Sequence, residues 1–354
     1  MRKSSILQFL LPLFLVCSLL SAQGVPGESL ASNARLETLS AAGGLRATLQ
    51  QARSGSREAI WVAYSVPMTT GQGRLCCYDK GGATTCHLKD HSRGWGSRDL
   101  DQPLRDPRLK VLLRFEAGEL AEIRSFSEDC PLDVGGSRLA SLGNVKPEES
   151  VAYLSELAKA GSAGYGNPAA EAVLALAMHR NADSALEELA SAPSPRKTRE
   201  DALFWIGRTR GESGARFLAG LLRDEADDEI RKKAIFSLST SGSPSAAEAI
   251  ARISREDRSR EIRGEALFWL AQMDTPEVPE MILKAVEDDP DLSVRKKAVF
   301  ALFHLKNGKS VPYLIRVGRE TQDREIRKEA LFWLSQSEEP AAVEYLDESL
   351  SKRD

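Results

Sequence analysis

The chain has 354 residues, of which 42% are hydrophobic and 28% charged, with a formal net charge of −3. Its length is more than one ordinary domain needs. The mildly acidic balance excludes the positive field that nucleic-acid phosphates require, so no nucleic-acid partner is expected.

Residues 1–22 read as a signal peptide: Arg2 and Lys3 open it, an apolar run spans Ile6 to Leu20, and Ser21 and Ala22 offer a cleavage site. The run is short against the roughly 20 residues a membrane helix requires, so no membrane anchor is expected after cleavage. Leu15 and Val16 before Cys17 do not suit lipid attachment. Losing Arg2 and Lys3 moves the net charge from −3 to −5. The mature protein is expected to be exported, periplasmic or extracellular.

Residues 23–43 are expected to be a linker, and residues 44–145 a small α+β domain. A helix is predicted from Gly44 to Arg53, then a strand over AIWVAYSV, residues 59–66. RLCCYD (74–79) and TTCHLK (84–89) flank a glycine-rich turn and read as a hairpin, and residues 90–107 read as a long loop. A second hairpin spans 110–127 and turns at Glu116-Ala117-Gly118-Glu119. Cys76, Cys77, Cys86 and Cys130 form an even set, which suggests two disulfides in an oxidising compartment. Neighbouring cysteines seldom pair, so Cys76 and Cys77 share Cys86 and Cys130 in one of two ways. CHLKDH brings Cys86, His87, Asp90 and His91 to one edge, but without a second ligand pair at metal-site spacing. No metal and no cofactor are expected.

From about Lys146 the chain turns to helix-forming residues, and an internal repeat sets its architecture. Arg199, Arg231, Arg263, Arg295 and Arg327 recur every 32 residues, as do Ala202 to Ala330 and Phe204 to Phe332. A first helix recurs at Phe217-Leu218, Ala249-Ile250, Met281-Ile282, Tyr313-Leu314 and Tyr345-Leu346. Traced backwards, the pattern gives six helix pairs and one last unpaired helix, with a degenerate second helix near Ala170 to Met178. This period with two helices per unit implies a mainly α protein, an α-solenoid over residues 146–354 after the α+β domain.

IRKKAIFSL (230–238), after a loop carrying Asp227, resembles the short bacterial HEAT-like repeats of the phycobilin-lyase type, a likeness covering about residues 148–352. The resemblance implies the fold and a concave surface lined by the second helices. It implies little about function, because the repeat serves many tasks.

At about 100° per residue, Ile230, Ala234, Ile235 and Leu238 form the buried stripe, and Phe236 falls nearly opposite it. Five repeats place Phe204, Phe236, Phe268, Phe300 and Phe332 there. Such a row either packs each ring on the next helix or forms a partly exposed groove of the kind that binds a partner. Lys232, Lys296 and Lys328 flank it. The neighbouring position runs Trp205, Ser237, Trp269, Ala301, Trp333, a large–small alternation that interdigitates adjacent helices. Charge alternates as Asp201, Lys233, Glu265, Lys297, Glu329, which predicts an ion-pair ladder and a 64-residue unit. The recurring Arg is expected to bridge to its neighbouring loop, with Asp227, Ser259, Asp291 and Asp323 as helix N-caps.

The chain has no His-Glu dipeptide of the kind a HEAT-like di-iron hydroxylase carries, no serine-hydrolase elbow and no phosphate-binding glycine loop. The expected function is non-catalytic: binding a protein or peptide in the cell envelope on the concave face. The alternative is an envelope enzyme, enzyme subunit or redox-responsive module with its site in the cysteine domain.

Overall fold

The computed structural model describes residues 31–54, 58–70, 73–79, 82–89, 95–98, 106–161, 167–191, 193–306 and 308–351. The expected signal peptide, Asp90 and His91 lie outside these residues.

A five-stranded sheet is the frame of the amino-terminal part. Its strands are β2 (Arg35–Ser40), β11 (Arg138–Gly143), β3 (Ile60–Pro67), β8 (Arg108–Glu116) and β9 (Glu119–Ser127), adjacent in that order. The first three run parallel, while β3–β8 and β8–β9 are antiparallel. In β3 the period of two divides the side chains cleanly. Ile60, Val62, Tyr64 and Val66 enter one core, and Trp61 and Ala63 the other. The expected linker over 23–43 is therefore corrected, because residues 35–40 pair with β11 along their whole length.

On one face lie α1 (Leu45–Ser54), α2 (Pro147–Ala160) and α3 (Pro168–Met178). The Glu149 carboxylate of α2 accepts the Leu45 N–H at 2.7 Å and so caps α1. The Tyr64 hydroxyl meets that of Ser150 at 3.1 Å in the buried seam between β3 and α2. The other face carries two small sheets. One joins β5 (Gly82–Thr84), β4 (Arg74–Asp79) and β7 (Trp95–Arg98); the other joins β1 (Ala31–Ser32), β10 (Leu132–Asp133) and β6 (Cys86–His87). The predicted 74–89 hairpin thus divides after Thr84: β5 returns along β4, but β6 pairs with β10 instead. Part of the expected 90–107 loop is strand β7, paired with β4. Cys76 bonds Cys130 and Cys77 bonds Cys86, with Cα–Cα separations of 5.7 and 5.3 Å, resolving the open pairing.

Thirteen helices from α2 onward make six pairs and one further helix among the described residues, as the periodicity predicts. After α2 and α3 come α4 (Asp183–Ala190) with α5 (Arg196–Thr209), α6 (Gly211–Asp224) with α7 (Asp228–Ser239), and α8 (Ala246–Glu256) with α9 (Arg260–Ala271). Then follow α10 (Val278–Asp288) with α11 (Leu292–Phe303), α12 (Val311–Glu320) with α13 (Arg324–Leu334), and α14 (Pro340–Ser351).

The degenerate helix of the sequence pattern is α3, and its position explains the degeneracy. It touches α2 and α5 within the solenoid, and β8 and β9 of the sheet. Every residue from Ala172 to Met178 is buried, so no polar face is left to give amphipathic periodicity. Its carboxyl end pairs with the end of β3, the Thr69 N–H donating to the Met178 carbonyl at 2.8 Å and the Arg180 N–H to the Pro67 carbonyl at 3.0 Å. Arg210, between α5 and α6, donates to the carbonyls of Leu176, Ala177 and His179 and pairs with Asp183. It thereby satisfies the last turn of α3, which is buried away from water.

Two titratable groups lie at this junction. Burial, with Arg210 beside it, pushes the buried His179 imidazole down to about 4. Burial pushes the Glu171 carboxyl up to about 7, opposed by Arg124 and reinforced by Glu122. Unfolded histidine titrates near ~6.5. The unfolded chain therefore binds a proton that the folded chain refuses, and His179's contribution is lost as pH falls from 6.5 toward 4. Glu171 acts with the opposite sign, its contribution being lost as pH rises through about 7. His179→Gln is expected to flatten the acid limb of a melting-temperature profile, by at most on the order of 3 kcal/mol across the window. Parallel profiles for the two proteins would show that His179 does not titrate there.

The β8–β9 turn places Ala117 at φ 49° and Gly118 at φ 82°. A side chain at positive φ costs roughly 1–2 kcal/mol, and the freedom glycine adds to the unfolded chain takes back about half. Ala117→Gly should shift the urea midpoint upward by roughly 0.5 kcal/mol with the slope unchanged. A downward shift would contradict the turn geometry.

Candidate functional site: the aromatic ridge

The second helices are held in step by their buried arginines. Arg263 of α9 donates from Nε to Asp289 at 2.7 Å and from Nη2 at 2.9 Å, and from Nη1 to the Asp257 carbonyl at 3.0 Å. Arg199 does the same with Glu225 and the Ala190 carbonyl, and Arg231 with Asp257. Each guanidinium thus reaches the loop 26 positions ahead, in the following repeat. The next residue in that series is Thr321; accordingly Arg295 turns to Asp323 at 2.7 Å. Arg327 binds the carbonyls of Gly318 and Thr321 at the end of the preceding helix, α12. Asp227, Ser259, Asp291 and Asp323 are the N-caps of α7, α9, α11 and α13. At Asp291, hydrogen bonds from the Ser293 hydroxyl and N–H bring the carboxyl down to about 2, keeping it ionised for capping.

The second helices lie closer to one another than the first helices do, so the solenoid curves toward the second-helix side. Their spacing also alternates, close for α5–α7 and α9–α11 and wider for α7–α9 and α11–α13. Small residues make the close contacts possible. A Cβ on Gly207 would sit 2.2 Å from the Ser237 carbonyl oxygen, and one on Gly264 would meet the Lys297 stem at 2.4 Å. Tryptophans fill the wider gaps.

The aromatic row follows this alternation. Phe204 stacks on Phe236 with centroids 6.1 Å apart, and Phe268 on Phe300 at 6.4 Å. Between the stacked pairs, Phe236 contacts Trp269 at 4.7 Å and Phe300 contacts Trp333 at 5.1 Å. Trp269 and Trp333 also meet Phe268 and Phe332 of their own helices, edge to face. The expected row of five phenylalanines is in fact a continuous ridge in which tryptophan bridges alternate steps. The first four Phe rings are half-buried, while Phe332 is 55% exposed.

The predicted ion-pair ladder takes another form. Lys233 lies over the Phe204 and Phe236 rings at 5.3 and 4.8 Å, a cation–π contact. Glu265 and Glu329 accept the indole N–H of Trp269 and Trp333 at 2.7 and 2.9 Å. The flanking lysines are engaged as well. Lys232 binds Glu229 at 2.8 Å and also Glu261, Lys296 reaches Glu325 at 3.4 Å, and Lys328 reaches the same Glu325 at 2.8 Å. They make a rim of mixed charge beside the ridge. Of the groups at the expected CHLKDH edge, Cys86 is held in its disulfide and His87 Nδ1 lies 3.0 Å from Asp133.

The sequence profile of HEAT repeats matches residues 182–271, 249–335 and 279–354. Residues 182–354 are HEAT-like repeats. Solved structures similar to its solenoid include CpcE and CpcF of phycocyanin lyase from Nostoc sp. PCC7120, 18% identical over 44% of this chain and 99% of that one, with a TM-score of 0.33. Human deoxyhypusine hydroxylase with glycerol is 15% identical over 57% and 89%, with a TM-score of 0.26. A designed armadillo repeat protein is 19% identical over 56% and 92%, with a TM-score of 0.27. No curated protein matches the chain. At such identities and TM-scores none of these bears on activity or ligand.

The HEAT-like repeats depend on the buried arginine clasps unequally. Arg263→Met strands a buried Asp289 carboxylate and should cost about 3 kcal/mol in chemical denaturation. Arg327→Met removes bonds to carbonyls only and should cost about 1–2 kcal/mol. Equal losses would show that the carboxylate in the following loop contributes nothing.

Proposed function

We propose that this protein is a non-catalytic scaffold of the bacterial cell envelope that holds a protein or peptide segment along its concave aromatic ridge. The observation that carries the reading is the ridge itself. Seven aromatic rings from Phe204 to Trp333 run in contact across five helices and stay partly open to solvent. Aromatic side chains offer large contact areas at low entropic cost, and stacked helices present them already ordered. The ion-paired Lys232, Lys296 and Lys328 form a polar rim, the usual setting of an apolar interface.

Export is supported by the leader-like residues 1–22 and by two disulfides, which persist in oxidising compartments. All four sulfurs are buried in pairs, an arrangement that suits fixed bridges better than thiol exchange. An enzymatic reading of the same domain would need the His87–Asp133 pair. Yet that carboxylate is already used, accepting from the Gly135 N–H of its own turn and from the Asn33 amide beside β1, which suits a structural role.

The test is cross-linked capture from a cell envelope by the native protein and by a Phe236→Ser/Phe268→Ser/Phe300→Ser variant shown to be folded by circular dichroism. A second variant, Phe332→Ser, removes the most exposed ring, whose loss the fold should tolerate. The expected result is a protein captured by the native form and lost, at least about tenfold, with either variant. Unchanged capture by a folded triple variant and by Phe332→Ser would remove the ridge as the binding surface.

A further inference from the structure

The curvature that closes the second helices together spreads the first helices apart, and between α6 and α8 it leaves a groove of about 790 Å³ on the convex side. Its floor is apolar and low, made of Ala219, Gly220, Leu222, Ala249 and Ile253. Its walls carry Arg216, Arg223, Arg252 and Arg258, all exposed. Among the described residues Arg223, Arg252 and Arg258 have no acidic partner. The groove's two acids do not balance them, since Asp257 is taken by Arg231 and only Glu256 remains. By contrast, Arg196 and Arg260, exposed elsewhere on the solenoid, each meet a carboxylate of the following loop, Asp227 and Asp291.

The complementary surface occurs on the same chain. Helix α14 turns Ala342 and Tyr345 inward and presents Val343, 50% exposed, beside Glu344, Asp347 and Glu348 on its outer face. Positions 343, 344, 347 and 348 lie together at helical spacing, giving one apolar contact bordered by three carboxylates. Glu344 has no partner among the described residues, and Glu348 has only a 3.7 Å approach from Arg319.

We propose that the α6–α8 groove binds the outer face of α14 from a second copy of the chain, with Val343 on the apolar floor and Glu344, Asp347 and Glu348 against the arginine walls. The two surfaces differ, so the contact is heterologous, and a pair of copies keeps one free groove on one member and one free knob on the other. It leaves the concave ridge unoccupied and is independent of the function proposed for that ridge.

Sedimentation velocity of the full chain across a concentration series, at low and at high salt, tests this. The native protein should associate as concentration rises, and added salt should weaken the association by screening. Arg223→Glu/Arg252→Glu and, separately, Glu344→Arg/Asp347→Arg should each weaken self-association by about tenfold or more. An equimolar mixture of the two charge-reversed proteins should associate again, because each variant keeps the native surface that the other has lost, and reversed groove also meets reversed knob. That rescue cannot come from misfolded chains. A native protein that sediments as a monomer throughout overturns the proposal. So does association that survives both reversals, or a mixture that does not recover. A monomer whose groove nonetheless binds a labelled poly-glutamate peptide would assign the groove to another acidic partner, and would equally overturn the second-copy occupant.

Discussion

A buried guanidinium must find a carboxylate or carbonyl within reach, and in this solenoid it finds one in the loop of the following repeat. Arg199, Arg231 and Arg263 sit in the wall between successive units, with Glu225, Asp257 and Asp289 brought to them at a constant interval. Desolvating such a cation is costly unless its partner is well placed. An insertion in one loop would therefore leave a charge stranded in the next wall. This accounts for the 32-residue period kept without slippage across the repeats of Arg199, Arg231 and Arg263. The N-caps belong to the same loops, since Asp257 and Asp289 each accept an N–H two residues on, from Ser259 and Asp291. Clasp and cap thus share one turn of chain.

On that fixed pitch the spacing of neighbouring helices can still alternate, and the aromatic ridge records the alternation. Where glycine lets backbones close, as at Gly207 against Ser237, phenylalanines from the two helices stack directly. Where the helices stand wider, an indole spans the step and its N–H is satisfied by a glutamate one turn back. The surface proposed to bind a partner is thus the outer edge of the packing, which gives it a fixed shape.

Much of the solenoid was legible because its determinants are local and repeated. Helix count, buried stripe, caps and the structural role of the arginines all follow from residues recurring at one interval. The partners of Lys233, Glu265 and Glu329 did not follow. Charge alternation suggests ion pairs, whereas rings one helical turn away offer the lysine a π face and supply the glutamates with an N–H. In the amino-terminal part the hairpin of β8 and β9 was readable, because its pairing is contiguous and its turn residues sit between the strands. Strand β2 was not, because its partner β11 lies about a hundred residues away and neither carries a turn signal that names the other. The short strands β6, β7 and β10 are defined by partners rather than by their own few residues. Arg210 left no trace in the repeat pattern, since the helix end it satisfies occurs only once.

Helix α3 serves the sheet and the array of repeats together, and this gives the protein a direction. Repeat arrays expose an apolar stacking surface at each end and normally close it with a modified unit. Here the sheet, fastened on its far side by two disulfides, covers the first of those surfaces through a helix that has no polar face. The described array is thus moored on the sheet at its first repeat. Backbone amides should be best protected in the repeats packed on that sheet and less well protected with distance from it. A segment lying along the ridge would then meet a graded surface, rigid near Phe204 and yielding near Phe332.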